Sequence, residues 1–181
     1  MTKELEVKVL NMDLNDIEEK IVSLGGRILA KEHQVNTLID SSKTPIKTYL
    51  DAYFRIRETH DILSNTSTVT LTLKKNIKNE CIRENIELNT NIEDKDVMLE
   101  ILKDLGFDKV VEGFKTRISY ELEGARLDLD RWDEKTYPYP YMEIEVENKE
   151  DLDRLINLLA IDNDNVSTKS IVELREEIGL E

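Results

Sequence analysis

The sequence predicts an α+β chain built around one antiparallel sheet of seven or eight strands, with helices on one side of it. Three observations carry this prediction. Short segments in which charged or polar side chains alternate with apolar ones recur along the chain, which is the two-residue period of a strand. Four other segments carry apolar residues at helical spacing. Finally, nearly all the strand charges fall on one face, and Leu, Val, Ile and Phe take the other.

Taken in order, Glu4–Lys8 is the first strand, with Glu4, Glu6 and Lys8 on one face and Leu5, Val7 and Val9 on the other. Asp13 is placed to cap a helix carrying Ile17, Ile21 and Leu24, and Gly25-Gly26 ends it. Gln34–Asp40 has the β-branched content of a strand and runs into a turn near Pro45. In Tyr53–Arg57 the charges of Arg55 and Arg57 share a face. Thr68–Lys74 alternates most clearly, and Cys81–Leu88, with Arg83, Asn85 and Glu87 on one face, returns beside it as a hairpin. A second helix is expected over Asp94–Leu105, with Val97, Ile101 and Leu105 buried and Gly106 as its stop. Val110–Tyr120 places Lys115 and Arg117 on one face, Ala125–Asp130 places Arg126, Asp128 and Asp130, and Tyr141–Val146 places Glu143 and Glu145. Tyr137–Pro140 reads as a stiff extended linker. Two further helices are expected over Lys149–Leu159, with Leu152, Leu155 and Leu159 inward, and over Ser167–Ile178 with Ser167 as N-cap.

The chain of 181 residues is expected to form a single domain, residues 1–181, with a full hydrophobic core. No apolar run approaches a membrane span and no signal-peptide core opens the sequence, so a cytoplasmic protein without a membrane partner is expected. The lone Cys81 rules out an internal disulfide and reads as a wall residue rather than a nucleophile. A net charge of −14 argues against a nucleic-acid surface. It leaves room for a small anion, because the field inside a cleft depends on the charges that line it.

The shared face carries chemical meaning. Long Lys and Arg side chains dominate its middle strands, while carboxylates gather in the first and the last. An ordinary solvated sheet face is the alternative, but segregation by sign points to a site. Were the sheet to curl into a barrel, this face would line a lumen able to hold a polyanion against the bases and a hard cation against the acids.

These residues resemble the CYTH superfamily, also called triphosphate tunnel metalloenzymes, which includes class IV adenylyl cyclases, thiamine triphosphatases and tripolyphosphatases. The resemblance covers nearly the whole chain. Glu4-x-Glu6-x-Lys8 matches the N-terminal signature, Arg55 and Arg57 the Arg-x-Arg strand, and Leu71–Lys74 the Leu-Thr-x-Lys strand. Arg83 and Glu87, Lys115 and Arg117, Asp130, and Glu143 and Glu145 match the remaining motifs in order. Leu127–Trp132 with Tyr141–Glu145 looks most like the bacterial cyclase-like members.

The resemblance implies a closed eight-stranded antiparallel β-barrel with surrounding helices, the barrel forming a triphosphate tunnel. It implies phosphate contacts from Lys8, Arg55, Arg57, Lys74, Arg83, Lys115 and Arg117, and one or two Mg²⁺ or Mn²⁺ ions on Glu4, Glu6, Asp130, Glu143 and Glu145. It makes Glu4, Glu6, Lys8 and Lys74 the catalytic group. Glu4 and Glu6 are expected to face Glu143 and Glu145 across a metal. The activity implied is that of a class IV adenylyl cyclase or a triphosphatase acting on a triphosphate-containing small molecule, and a homodimer is compatible with it. A polyphosphate-binding module without turnover is the other reading. Two positions depart from the family pattern: Asn85 stands where many members place an acid, and Ile171 replaces the tyrosine of a Lys-Ser-Tyr motif at Lys169-Ser170.

Overall fold

A computed structural model of the protein describes residues 2–77 and 83–180, with side chains from Leu5 to Lys75 and from Asn85 to Leu180. Cys81 lies outside the described residues, as do the side chains of Glu4 and Arg83. In chain order the elements are β1 (Thr2–Val9), α1 (Leu14–Ser23), β2 (Arg27–Asp40), β3 (Ala52–Asp61), β4 (Thr66–Ile77), β5 (Arg83–Asn91), α2 (Lys95–Asp104), β6 (Lys109–Leu122), β7 (Ala125–Trp132), β8 (Tyr141–Val146), α3 (Lys149–Leu158), β9 (Val166–Ser167) and α4 (Ile171–Glu177). The fold is α+β, one large antiparallel sheet with four helices among the described residues.

Strands pair in the order β5-β4-β3-β2-β6-β7-β8-β1-β9, and β5 also pairs with β1. β1 is therefore bonded along Leu5–Val9 to β8 and along Thr2–Glu6 to β5. Its far end, Lys8 and Val9, pairs with β9. Several strands are longer than alternation alone predicts. β2 starts at Arg27 rather than near Gln34 because the whole length of β6 offers it hydrogen bonds, from Glu121 back to Lys109.

Helices cover the apolar face. Val7, Val9, Leu127, Leu129, Met142 and Ile144 from the strands pack against Leu14, Ile17 and Ile21 of α1 and Leu152, Leu155 and Ile156 of α3. Asp13 caps α1 as expected, its carboxylate accepting from Asn15 N. Gly25, at φ +90, turns the chain out of it.

α2 departs from expectation. Val97, Ile101 and Leu105 are 51, 48 and 71 % exposed. Met98, Leu99 and Leu102 face inward instead, against Ile39, Phe54, Ile56, Val69 and Leu71. The helix carries apolar residues on two adjacent lines, and Phe107 selects between them. Its N–H returns to Leu102 O at 2.9 Å, and its ring meets Phe54 edge-on at 5.8 Å.

The last helix is also displaced from expectation. Ser170, not Ser167, is its N-cap, in a reciprocal capping box with Glu173, while Ser167 pairs with Lys8 in β9. α4 packs Leu174 and Ile171 against Tyr137, Tyr141 and Trp132. The expected linker at 137–140 is preceded by a turn in which Asp133 accepts from Phe114 N, Thr136 N and Thr136 Oγ1. This turn lies on Gly113, where an added Cβ would stand 2.6 Å from Thr136 Oγ1.

Two substitutions test this packing by urea denaturation. Leu155→Ala, at a fully buried position, is expected to lower stability by about 2–5 kcal/mol without changing the denaturant slope. Val97→Ala, on the exposed line of α2, is expected to stay within about 0.5 kcal/mol of the parent.

Candidate active site

The charged face is not a solvated one. Lys8 and Lys115 are 4 % exposed, Arg117 8 % and Asp130 0 %. Side chains of this charge are rarely buried to that degree unless they are paired, because each unpaired ion loses several kcal/mol of hydration. Their pairing is dense. Asp130 accepts from Arg117 Nε and Nη2, both at 2.6 Å, and from Lys115 Nζ at 2.8 Å. Arg117 also reaches Asp128 and Glu143, each at 2.5 Å. Lys8 holds Glu143 at 3.0 Å. Lys74 lies between Glu6 at 3.2 Å and Glu87 at 2.9 Å.

Strand register explains why these groups meet. Arg117 is opposite Asp130 and Ser119 opposite Asp128 in β6–β7; Lys8 is opposite Glu143 and Glu6 opposite Glu145 in β1–β8. Lys74 faces Glu87 in β4–β5. On β1–β5 the backbone of Glu4 stands opposite Asn85 and that of Glu6 opposite Arg83. Thus Glu6 meets Glu145, while Lys8 rather than a glutamate meets Glu143. Two carboxylates set directly across a strand pair repel each other unless a cation intervenes.

The electrostatics follow from this crowding. Burial, together with Arg117 beside it, brings the Lys115 ammonium down to about 7 despite Asp130. Burial and the neighbouring Arg55 and Arg117 lower Arg57 to about 10. Burial raises the carboxyl of Glu87, but Lys74 and Arg55 outweigh it and hold the group at about 2. Burial likewise opposes ionisation of Glu143, which Lys8 and Arg117 nonetheless keep well below the usual carboxylate range.

Three groups on this face are not evident from alternation as first read. Gln34 and Asn36 of β2 are buried there, and Asn36 Oδ1 accepts from Arg57 Nε at 2.9 Å. Asn89 of β5 accepts from Thr72 Oγ1 at 2.6 Å. The spacing Gln34-x-Asn36 is the signal that marks the first two. Asp128, which sequence placed on the face without a role, grips Arg117. Aromatic rings close on two of the lysines. Lys115 Nζ is 5.2 Å from the centre of Trp132 and Lys8 Nζ 5.8 Å from that of Tyr141. Trp132 Nε1 donates to Tyr141 OH at 2.7 Å. His33 and His60 are paired across β2–β3, one residue out of step with Gln34 and so on the alternate face of their strands. Lys169 pairs with Glu177 at the exposed surface of α4.

The donor set is that of a hard cation: carboxylate oxygen, with no thiolate or imidazole on this face among the described residues. Among the described residues no three Asp, Glu, His or Cys side chains are grouped to hold a metal by themselves.

The chain belongs to the CYTH domain family, whose model matches residues 2–171. It is 29 % identical over 182 residues to MJ0240 of Methanocaldococcus jannaschii, a candidate adenylate cyclase, covering 95 % of this chain and 98 % of that one. The PH1819 protein of Pyrococcus horikoshii OT3 shares the fold with a TM-score of 0.80 and 25 % identity, over 97 % of this chain and 99 % of that chain. A candidate adenylyl cyclase of Hippeastrum, described as having a dominant triphosphatase activity, superposes with a TM-score of 0.68 at 16 % identity, over 100 % of this chain and 98 % of that chain. Among the described residues no helix is long and apolar enough to cross a membrane.

The Glu87–Lys74 pair makes a prediction about acid. The folded value of about 2 lies below the ordinary 4.5. The stabilisation is therefore fully present above pH 4.5 and is lost as pH falls through about 2. Glu87→Gln is expected to cost on the order of 2–3 kcal/mol at pH 6. The gap between parent and variant, read from thermal midpoints, should narrow steadily as the pH is lowered through that window.

Proposed function

For a member of the CYTH family with this buried array, we propose metal-dependent chemistry on a triphosphate bound in a tunnel. Lys8, Arg55, Arg57, Lys74, Arg83, Lys115 and Arg117 contact its phosphate oxygens. Glu4, Glu6, Asp130, Glu143 and Glu145 hold Mg²⁺ or Mn²⁺. The observation that carries the reading is the burial of so many cations on one strand face, beside carboxylates that meet as Glu6 and Glu145. A neutral ligand would leave the positive charge of Arg55 and Arg57 without an ion pair, whereas a polyanion supplies one. Closure of the sheet into a tunnel is supported by β1, which pairs with both β8 and β5 and so leaves each of β2 to β8 with a neighbour on either side.

The residues divide the work by charge. Arg and Lys side chains, fixed by the sheet, orient the phosphate chain and stabilise charge developing on it. Phosphoryl chemistry asks little more of a protein than this positioning. When bound, the metal would polarise a phosphoryl oxygen and acidify the attacking hydroxyl or water. Lys8 and Lys74, which hold Glu143 and Glu6 here, turn to phosphate oxygens once those carboxylates have another cation to serve. If the attacking group is the ribose 3′-hydroxyl of ATP, the reaction is that of a class IV adenylyl cyclase, as the candidate activity of the M. jannaschii relative would have it. If it is water, the reaction is that of a triphosphatase.

A second reading is a polyphosphate-binding module without turnover. It is favoured by Asn85, which is opposite Glu4 in the β1–β5 register, a position where a carboxylate would add a candidate metal ligand.

The decisive measurement offers ATP, thiamine triphosphate and inorganic tripolyphosphate in turn, with Mg²⁺ or Mn²⁺, and scores orthophosphate, pyrophosphate and cyclic AMP separately. Turnover of at least one substrate is expected; cyclic AMP with pyrophosphate identifies the cyclase, orthophosphate alone the triphosphatase. Glu6→Ala is expected to lower kcat by about a hundredfold or more while tripolyphosphate still binds. A parent protein that binds tripolyphosphate but turns over none of the three would sink the enzymatic reading and leave the module.

A further inference from the structure

The positive charge of this face is unevenly neutralised. Lys8, Lys74, Lys115 and Arg117 each hold a carboxylate within 3.2 Å. Among the described residues no ion pair joins Arg55 or Arg57 to an acid. What holds Arg57 is neutral: its Nε donates to Asn36 Oδ1 at 2.9 Å, directly across β2–β3.

Chemistry fixes the orientation of that amide. A guanidinium offers only donors, so Asn36 must present its oxygen to Arg57 and turn its NH2 group elsewhere. Asn36 is 3 % exposed, and its Nδ2 has no acceptor among the described residues; neither does the buried Nε of Arg55. Arg55 and Arg57 lie two residues apart on one face of β3, and Arg55 is a diagonal neighbour of Asn36 across the strand pair. Two buried donors left unpaired, beside two guanidiniums that no carboxylate touches among the described residues, are an unfavourable arrangement for a protein at rest. One anion would satisfy them all.

We propose that Asn36 contacts the substrate directly, its Nδ2 joining Arg55 and Arg57 in a seat for one phosphoryl group of the polyanion. This inference rests on the triphosphate reading above and adds a residue and a rule to it. The rule is that position 36 must be polar and uncharged. An aspartate there would clasp Arg57 as Asp130 clasps Arg117, filling the seat with the protein's own negative charge. The amide holds the guanidinium in place and leaves its charge for the ligand.

Calorimetric titration with tripolyphosphate in the presence of a chelator, with no metal and no turnover, tests the seat on the full chain. Asn36→Ala is expected to weaken binding about tenfold, and Asn36→Asp about a hundredfold. Asn36→Asp should also raise the thermal midpoint of the ligand-free protein, a gain that a merely structural asparagine would not give. His33→Ala, on the opposite face of the same strand, should bind as the parent does. Circular dichroism confirms the fold of each variant, and Asn36→Ser stands in should the aspartate fail to fold. If the parent binds and the Asn36 variants bind within twofold of it, the seat is wrong and the triphosphate reading stands. If the parent itself does not bind tripolyphosphate, that reading falls and the seat with it.

Discussion

Everything in this molecule answers to one constraint: charge taken out of water must be met by opposite charge. Asp130 is fully buried and is held by both Lys115 and Arg117. A single carboxylate facing two cations is not enough, so Asp128 and Glu143 converge on the same guanidinium. Removing one member of such a group leaves the others buried and uncompensated, commonly a cost of about 3–5 kcal/mol. The arrangement is therefore tolerable only as a whole, and only on a scaffold that places strands in one register. The scaffold owes its stability to the other face, where α1 and α3 bury Leu, Ile and Val against β1, β7 and β8.

Division of the sheet into two chemistries also explains what could be read in advance. Two-residue alternation reports which face a side chain takes, and it puts Glu6, Lys8, Arg55, Arg57, Lys74, Lys115, Arg117, Asp130, Glu143 and Glu145 together. Of these, Lys8, Lys74, Lys115, Arg117 and Asp130 are buried and the other five half-buried, which is not the exposure of a solvated surface. Alternation does not report strand neighbours. That Glu6 meets Glu145 while Glu143 meets Lys8 depends on register between segments far apart in the chain, and no local pattern encodes it. Roles for Gln34 and Asn36 were hidden for a different reason: short amides among β-branched residues look like ordinary strand filling until the partner across the ladder is known.

Helix rotation was the least legible feature. Val97, Ile101 and Leu105 form as good a helical line as Met98 and Leu102 do, and the choice between them was made by Phe107 and the ring of Phe54. Likewise Ser167 and Ser170 both suit an N-cap. Glu173, three residues beyond Ser170, completes a reciprocal box that Ser167 has no means to form. In both cases the deciding group sits just outside the segment being read.

The position of β1 has a consequence for how the chain reaches this state. Residue 5 must find residue 146 on one side and residue 84 on the other, and residue 9 must find residue 166. Hairpins such as β3–β4 and β6–β7 can form early, because their partners are close in sequence. β1 has no partner until β5, at Arg83–Asn91, is present, and its other edge waits for β8. Such non-local pairing bears a large loop-closure entropy before any contact rewards it. Folding should accordingly be slow for a chain of this size, with insertion of β1 among its last events, and Glu6 and Lys8 would join the buried charges only at that step.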